Sequence, residues 1–175
     1  INHAETLGDT RLIYLDSCAP LTHAGHFGAD RCAWLEAELE AATHARIFMH
    51  HGPMETGLPA TDKITMVAED RPGLQRVFEA YRAKIDYIHF GHVHAPIHGC
   101  YCGIPFASVP SLGTQSIPDF AEPDMLLGAP LPPAYAVIQI EGATTRLHQI
   151  PFTWEGPVFA TGTAWEDWAK PVAAE

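Results

Sequence analysis

Two histidines separated by one residue follow a short apolar segment in the middle of the chain. His92 and His94 come after residues 85–90, whose apolar and aromatic side chains are typical of a buried strand. Gly91 allows the backbone to turn at the end of that strand. Two neutral imidazoles directed at one point suit a divalent metal ion, although a short His-x-His pattern alone is equally compatible with two ordinary histidines.

A second apolar segment ends in the same way. Residues 46–49 precede His50 and His51, and a Gly-Pro pair at positions 52 and 53 then stops the strand and starts a loop. Open α/β sheets bind ligands outside the carboxyl ends of their strands. We therefore expect His50 or His51 to join His92 and His94 at one edge of a sheet.

These two segments carry a family resemblance. Met-His-His-Gly-Pro at 49–53 and Phe-Gly-His-Val-His at 90–94 resemble the last two metal-binding motifs of the calcineurin-like metallophosphoesterases. The most similar branch is the bacterial class III cyclic-nucleotide and glycerophosphodiester phosphodiesterases. Further matching segments lie at 12–17, 34–35, 57–62, 103–106 and 110–111, so the resemblance covers about residues 11 to 140.

The chain departs from this family in its first half. The Asp-x-His and Gly-Asp-x-x-Asp motifs are absent from the sequence, and Asn2-His3 does not replace the Gly-Asn-His-Asp/Glu motif because Ile1 and Ala4 stand where the glycine and the acid should be. The resemblance therefore implies an α/β chain, the C-terminal part of a four-layer αββα sandwich whose N-terminal half is absent. The catalytic acid histidine of the family has no counterpart in this chain.

The resemblance also implies a chemistry. It is that of a phosphodiesterase which hydrolyses small phosphodiesters, a 3',5'-cyclic nucleotide such as cAMP or a glycerophosphodiester, with a hydroxide activated by two divalent ions (Fe, Mn or Zn). His50 and His92 would bind one metal and His94 the other, while His51 and Asp62 would contact the substrate or support the ligands. Activity would depend on carboxylate and asparagine ligands from the missing half.

Three alternatives remain open at this level. Three histidines can hold a single Zn²⁺ with an open position, as in a one-metal hydrolase, but no general base is evident. The chain could instead be a catalytically incomplete remnant that binds a metal or a partner, as the missing carboxylates would allow. A phosphomonoesterase of the same superfamily is the third alternative.

Composition limits the other classes of function. The 175 residues suit one domain, and a net charge of −11 argues against nucleic acid and anionic membrane as partners. No apolar run approaches the length of about 20 residues that a membrane span requires. Four cysteines without a zinc-site spacing predict reduced thiols and a cytoplasmic location, with Cys100 and Cys102 either bonded when oxidised or acting as small apolar fillers.

The periodicity of the sequence predicts the elements that position the histidines. We expect an N-terminal hairpin closed by Gly8, a helix capped by Asp30 that leads into a parallel strand, a helix that begins at Pro72, and a hairpin on a sheet edge. The predicted ranges are 1–4 and 11–16 for the first strands, 30–42 for the first helix, and 135–140 with 144–151 for the last hairpin. Residues 54–69 and 116–133 should be loops, and the latter, with the tryptophan-bearing tail 154–175, should form a homo-oligomer contact.

Overall fold

The computed structural model describes residues 1–152. Ten strands and three helices follow one another in this part of the chain. The strands are β1 (His3–Leu7), β2 (Thr10–Leu15), β3 (His44–Met49), β4 (Ile85–Phe90), β5 (His98–Tyr101), β6 (Ile104–Ser108), β7 (Gln115–Ile117), β8 (Leu127–Ala129), β9 (Ala134–Glu141) and β10 (Thr144–Pro151). The helices are α1 (Ala29–Ala41), α2 (Pro59–Asp62) and α3 (Arg71–Tyr81).

A six-stranded sheet in the order β1-β2-β3-β4-β6-β5 forms the centre of the molecule. Its four inner strands, β2, β3, β4 and β6, run parallel, and the two edge strands pair antiparallel to their neighbours. The carboxyl ends of β2, β3, β4 and β6 therefore lie along one edge. The predicted parallel strand–helix–strand arrangement is confirmed.

One face of this sheet packs against α1 and α3 to form the hydrophobic core. Alternate residues of each inner strand point into it, so that Ile13, Ile47 and Ile88 are fully buried. They meet Leu35 and Phe78, which are equally inaccessible. The helix predicted to begin at Pro72 is α3, and its Leu74, Val77 and Phe78 are all buried there.

The other face of the sheet carries a row of stacked rings. Tyr14, Phe48 and His89, on three adjacent strands, have successive centroid distances of 5.1 and 4.8 Å, and Tyr87 stacks on His89 at 4.6 Å. The β9–β10 hairpin lies over this face, where Arg46 Nη2 donates a hydrogen bond to Thr145 Oγ1 at 2.6 Å. The described residues thus form α, β and β layers, and the α/β class is confirmed.

Several boundaries differ from the sequence prediction. The first strand extends over His3–Leu7 rather than 1–4, although Gly8, with φ of 64°, does close the hairpin. Gly28 caps α1 instead of Asp30, which lies in the first turn, where its charge favours the helix dipole. A short helix, α2, interrupts the predicted loop 54–69, because Pro59 provides a suitable first turn.

The last third of the chain differs more. Residues 116–133 were predicted as a loop, but β7 and β8 pair within this region. The β9–β10 hairpin has the predicted pairing, yet it forms its own two-stranded sheet rather than the edge of the main one. Cys100 is exposed, Cys102 half-buried, and both are free thiols. The tail 154–175 lies outside the described residues.

No helix within residues 1–152 has the length and apolar character needed to cross a membrane.

Candidate metal centre

The carboxyl ends of β3 and β4 bring the central histidines together. His50 directly follows β3, and His92 lies two residues beyond the end of β4. The two strands are adjacent and parallel, and the Gly91 N–H donates to the His50 carbonyl at 3.1 Å, which joins their ends. A side chain on Gly91 would lie 3.6 Å from His50 Nδ1, so the loop passes close to the His50 ring.

His50 and His92 face each other through single ring nitrogens. His50 Nε2 lies 3.2 Å from His92 Nδ1. Two nitrogens that bind the same tetrahedral Zn²⁺, each at a distance of about 2.0–2.1 Å, would lie about 3.3 Å apart. The separation therefore matches two ligands of a single metal ion.

Both rings are kept neutral at physiological pH. Burial lowers the pKa of His50, and the neighbouring His94 adds to the effect. Burial, followed by the neighbouring His51 and His50, lowers the pKa of His92 to about 4, and the carbonyl of Ile64 partly offsets the shift. His92 Nε2 is buried and has no hydrogen-bond partner among residues 1–152. Neutral imidazoles are the form that coordinates a metal.

His94 is oriented by a different contact. Its Nδ1 lies 2.8 Å from the Thr114 carbonyl oxygen. A carbonyl only accepts hydrogen bonds, so Nδ1 carries the proton and Nε2 presents its lone pair. This is the arrangement that commonly fixes the tautomer of a metal-binding histidine. The N–H of Ser116 also donates to the His94 carbonyl at 3.0 Å, which anchors the backbone of the loop.

The metal-compatible cluster within residues 1–152 consists of His50, His51 and His92, whose ring nitrogens lie within 4.8 Å of one another. His94 is not part of this compact group. Of the three predicted ligands, His50 and His92 thus form a close pair, and His94 lies outside the compact group.

His51 is the buried member of the group, and both of its ring nitrogens are engaged. Nε2 lies 3.0 Å from the His23 carbonyl oxygen, so it carries the proton, and Nδ1 accepts from Ser17 Oγ at 2.8 Å. No lone pair of the neutral ring remains for a metal. Its ring centroid lies 4.4 Å from that of His92, so His51 supports the pair sterically.

The backbone around the pair is tightly constrained. His92 and His94 have φ of 66° and 50°, values that residues other than glycine seldom adopt and that concentrate at functional sites. Gly25 packs so closely on His51 that a Cβ there would lie 2.5 Å from the His51 Cβ. The loop after β2 therefore holds the His51 ring from one side and the loop after β4 from the other.

Asp62, predicted as a substrate or supporting residue, is used by a loop. Its carboxylate accepts hydrogen bonds from the Thr56 N–H at 2.6 Å, the Thr56 hydroxyl at 2.7 Å and the Gly57 N–H at 3.0 Å. The structure does not bring it into the histidine cluster. In this conformation it shapes the loop between β3 and α3.

Two serines that the sequence analysis did not select organise the same edge. Ser17 follows β2 and Ser108 ends β6, and both are fully buried. Ser108 Oγ donates to the Ala95 carbonyl at 2.7 Å and accepts from the Ile97 N–H at 2.9 Å, so it fixes the chain just after His94. The sequence feature that could have identified these serines is their position, since each occurs where an apolar strand ends, as the histidines do.

Comparisons with known proteins identify one relative by sequence. No family model matches the chain. A probable cyclic nucleotide phosphodiesterase of Rhodopseudomonas palustris is 34% identical over 149 residues, which make up 83% of this chain and 53% of that protein. The chain thus spans about half the length of the curated relative that it matches.

Among solved structures, a purple acid phosphatase from yellow lupin seeds has a similar fold, with a TM-score of 0.58 at 13% identity. The match covers 85% of this chain and 30% of the lupin protein. A dimetal phosphatase from Danio rerio has a TM-score of 0.45 at 14% identity over 58% of this chain and 46% of its own.

Proposed function

We propose that this chain belongs to the calcineurin-like metallophosphoesterase superfamily and that it supplies the histidine side of a two-metal phosphodiesterase centre. The substrate class is a small phosphodiester, either a 3',5'-cyclic nucleotide or a glycerophosphodiester. A sequence relative named as a probable cyclic nucleotide phosphodiesterase supports this class.

The observation that carries the proposal is the 3.2 Å approach of His50 Nε2 to His92 Nδ1 at the ends of two parallel strands. These two nitrogens would hold one metal ion, and His94 Nε2 would serve a second ion. When bound, such ions lower the pKa of a coordinated water and neutralise the charge of the phosphate. The identity of the ions, Fe, Mn or Zn, follows partly from metal availability.

The protein's own residues orient this site. His51, fixed by Ser17 and by the His23 carbonyl, supports the His92 ring and gives it a single position. The Thr114 carbonyl keeps the proton of His94 on Nδ1. A net charge of −11 repels phosphate esters at long range, so bound cations are required to attract this substrate.

A second candidate function has an observation in its favour. The histidine cluster in residues 1–152 contains no carboxylate, and one of its three members, His51, has both ring nitrogens engaged. Neutral imidazoles alone cannot balance two divalent charges, so a chain acting by itself would bind one metal, or a partner, without turnover.

One experiment separates the two functions. The experiment compares the 175-residue chain with a longer protein, in which this chain is extended to about the length of the curated relative. Each protein is supplied with Mn²⁺ and tested for hydrolysis of bis-p-nitrophenyl phosphate. Turnover by the longer protein alone, abolished by His92→Ala, is the expected result. Metal binding without turnover in both proteins would favour the binding module, and the absence of metal binding in both would refute the proposed centre.

A further inference from the structure

A buried glutamine lies next to the loop that contacts His94. Gln115, the first residue of β7, is only 4% exposed, although Leu112, Gly113 and Thr114 just before it are all exposed. A buried amide is costly unless its donors and its acceptor find hydrogen-bond partners. The partners of this side chain therefore show which part of the chain it holds.

Three hydrogen bonds join the Gln115 amide to the backbone of the preceding loop. Its Oε1 accepts from the Ser111 N–H at 2.8 Å, and its Nε2 donates to the carbonyls of Ser111 at 2.8 Å and Gly113 at 3.0 Å. The nitrogen of a glutamine amide has two donors and its oxygen accepts, so this set of partners fits a single orientation of the amide. The buried side chain thus holds residues 111–115 as one turn.

The backbone on either side of Gln115 holds His94. The Thr114 carbonyl lies 2.8 Å from His94 Nδ1, and the Ser116 N–H donates to the His94 carbonyl at 3.0 Å. Backbone groups alternate in direction along an extended chain, so the groups before and after Gln115 face the same side. His94 has φ of 50°, a conformation that persists only where surrounding contacts maintain it.

We infer that Gln115 is a positioning residue for His94, because its amide holds the turn that keeps the Thr114 carbonyl against Nδ1. The proton then stays on Nδ1, and Nε2 keeps the lone pair that a metal ion would use. Without the amide, the exposed Thr114 carbonyl would turn toward water, and the neutral ring would divide between its two tautomers. Partners of this kind orient metal-binding histidines. The inference rests on the proposed function, since that function gives His94 Nε2 its metal.

The test compares the tautomers of His94 and His51 in the metal-free chain by long-range ¹H–¹⁵N NMR at about pH 8.5, where histidine is neutral. In the wild-type chain we expect the proton on Nδ1 of His94 and on Nε2 of His51. Gln115→Met keeps a side chain of similar length but removes all three hydrogen bonds. In this variant the ratio of the Nδ1–H to the Nε2–H tautomer of His94 should fall by about tenfold, the equivalent of one hydrogen bond.

His51 is the internal reference, because Ser17 and the His23 carbonyl hold its ring independently of Gln115. Its tautomer should not change in Gln115→Met. Gln149→Met is the matched control, since Gln149 is exposed on β10, and it should leave both histidines unchanged. Far-UV circular dichroism shows whether each variant is folded.

A second variant covers the case in which Gln115→Met does not fold. Gln115→Glu keeps an acceptor for the Ser111 N–H but loses the two donated hydrogen bonds. We expect the same change in the His94 tautomer. The wild-type spectrum tests the contact between His94 and Thr114 without any variant.

Three outcomes would overturn the inference. The first is a wild-type chain with the His94 proton on Nε2. The second is an unchanged His94 tautomer in a folded Gln115 variant, which would mean that the turn keeps its place without the amide. The third is a change at His51 together with His94, which would show a general loosening of this edge of the sheet.

Because no metal enters the measurement, its failure is distinct from a failure of the proposed function. A chain that shows the expected tautomers in wild type and in Gln115→Met supports the role of Gln115. If the same chain bound no Mn²⁺, the proposed metal centre alone would be refuted.

Discussion

Ser17 Oγ and His51 Nδ1 lie 2.8 Å apart in the interior, across 34 residues of chain, and tie the end of β2 to the end of β3. Ser17 Oγ also accepts the His51 N–H at 3.2 Å. One hydroxyl thus fixes both the ring and the backbone of the histidine that supports His92. The position of the His50–His92 pair therefore depends on a residue that is not itself a proposed metal ligand.

Replacing Ser17 by Ala should lower the free energy of unfolding by about 1–3 kcal/mol, because a buried ring nitrogen and a buried N–H both lose their partner. Urea denaturation at neutral pH measures this loss. Ser111→Ala is the control, since its hydroxyl accepts from Gly113 on an exposed loop where water can take its place. Equal losses in the two variants would contradict the role assigned to Ser17.

Replacing Gly25 by Ala should displace the His51 ring, because the new Cβ would lie 2.5 Å from the His51 Cβ and 2.6 Å from its Cγ. We expect a loss of about 1–3 kcal/mol in unfolding free energy, typical of overpacking, together with weaker Zn²⁺ binding in a calorimetric titration. Gly113→Ala is the matched control, since its Cβ would meet only Ser111 Oγ at an ordinary 3.6 Å. Unchanged Zn²⁺ affinity in Gly25→Ala would show that the His51 ring does not position the pair.

Replacing His92 by Ala should weaken metal binding by at least about tenfold while the fold persists, because a ligand beyond a strand end contributes little to the core. Zn²⁺ affinity and far-UV circular dichroism provide the two readouts. His44→Ala is the control, because His44 lies at the opposite end of β3, exposed and beside Asp86. Similar losses of affinity in both variants would mean that the histidines act through stability rather than as ligands.

His89 should make the folded state sensitive to acid. Burial, followed by the charge of Arg46, lowers the pKa of His89 from 6.5 to about 4. Between these two values the unfolded chain binds a proton that the folded chain excludes, so stability present above pH 6.5 is lost as the pH falls toward 4. The shift corresponds to about 3 kcal/mol at 1.36 kcal/mol per pH unit.

Replacing His89 by Phe should remove this contribution and keep the stack between Phe48 and Tyr87. Urea unfolding at pH 7 and pH 5 measures the pH dependence. The wild-type chain should lose more stability between these values than His89→Phe. An identical loss in the two proteins would show that His89 is not the responsible group.

Apolar side chains exposed around β7 and β8 support the homo-oligomer that the sequence suggests. Phe120 is 75% exposed and Met125 56% exposed, with Leu126 and Leu131 beside them in sequence and also exposed. Because exposed patches of this kind commonly mark protein contacts, we propose a homodimer through residues 116–133. Light scattering at micromolar concentration should give about twice the 19.1 kDa of one chain.

Replacing Phe120 by Asp should shift the dimer toward the monomer, whereas Leu21→Asp should not. Leu21 is also fully exposed, but it lies in the loop between β2 and α1 and not within residues 116–133. A monomeric mass for the unmodified chain would refute the dimer.

The local pattern of residues identifies the strands that deliver the histidines. Apolar runs that end in His50 and in Gly91-His92 mark the carboxyl ends of β3 and β4, because a buried strand requires apolar side chains and its end does not. The same local logic located α3, the β9–β10 hairpin and the fold class. These features depend on residues close together in sequence, which a pattern can record.

The different roles of the histidines depend on contacts between distant parts of the chain. Local sequence cannot show that Ser17 and the His23 carbonyl occupy both nitrogens of His51, because these contacts join segments 34 and 28 residues apart. It equally cannot show that Asp62 is taken up by the Thr56 loop, or that the hairpin covers Arg46. A hydrogen bond depends on distances of a few tenths of an ångström, and only packing of the whole chain sets those distances.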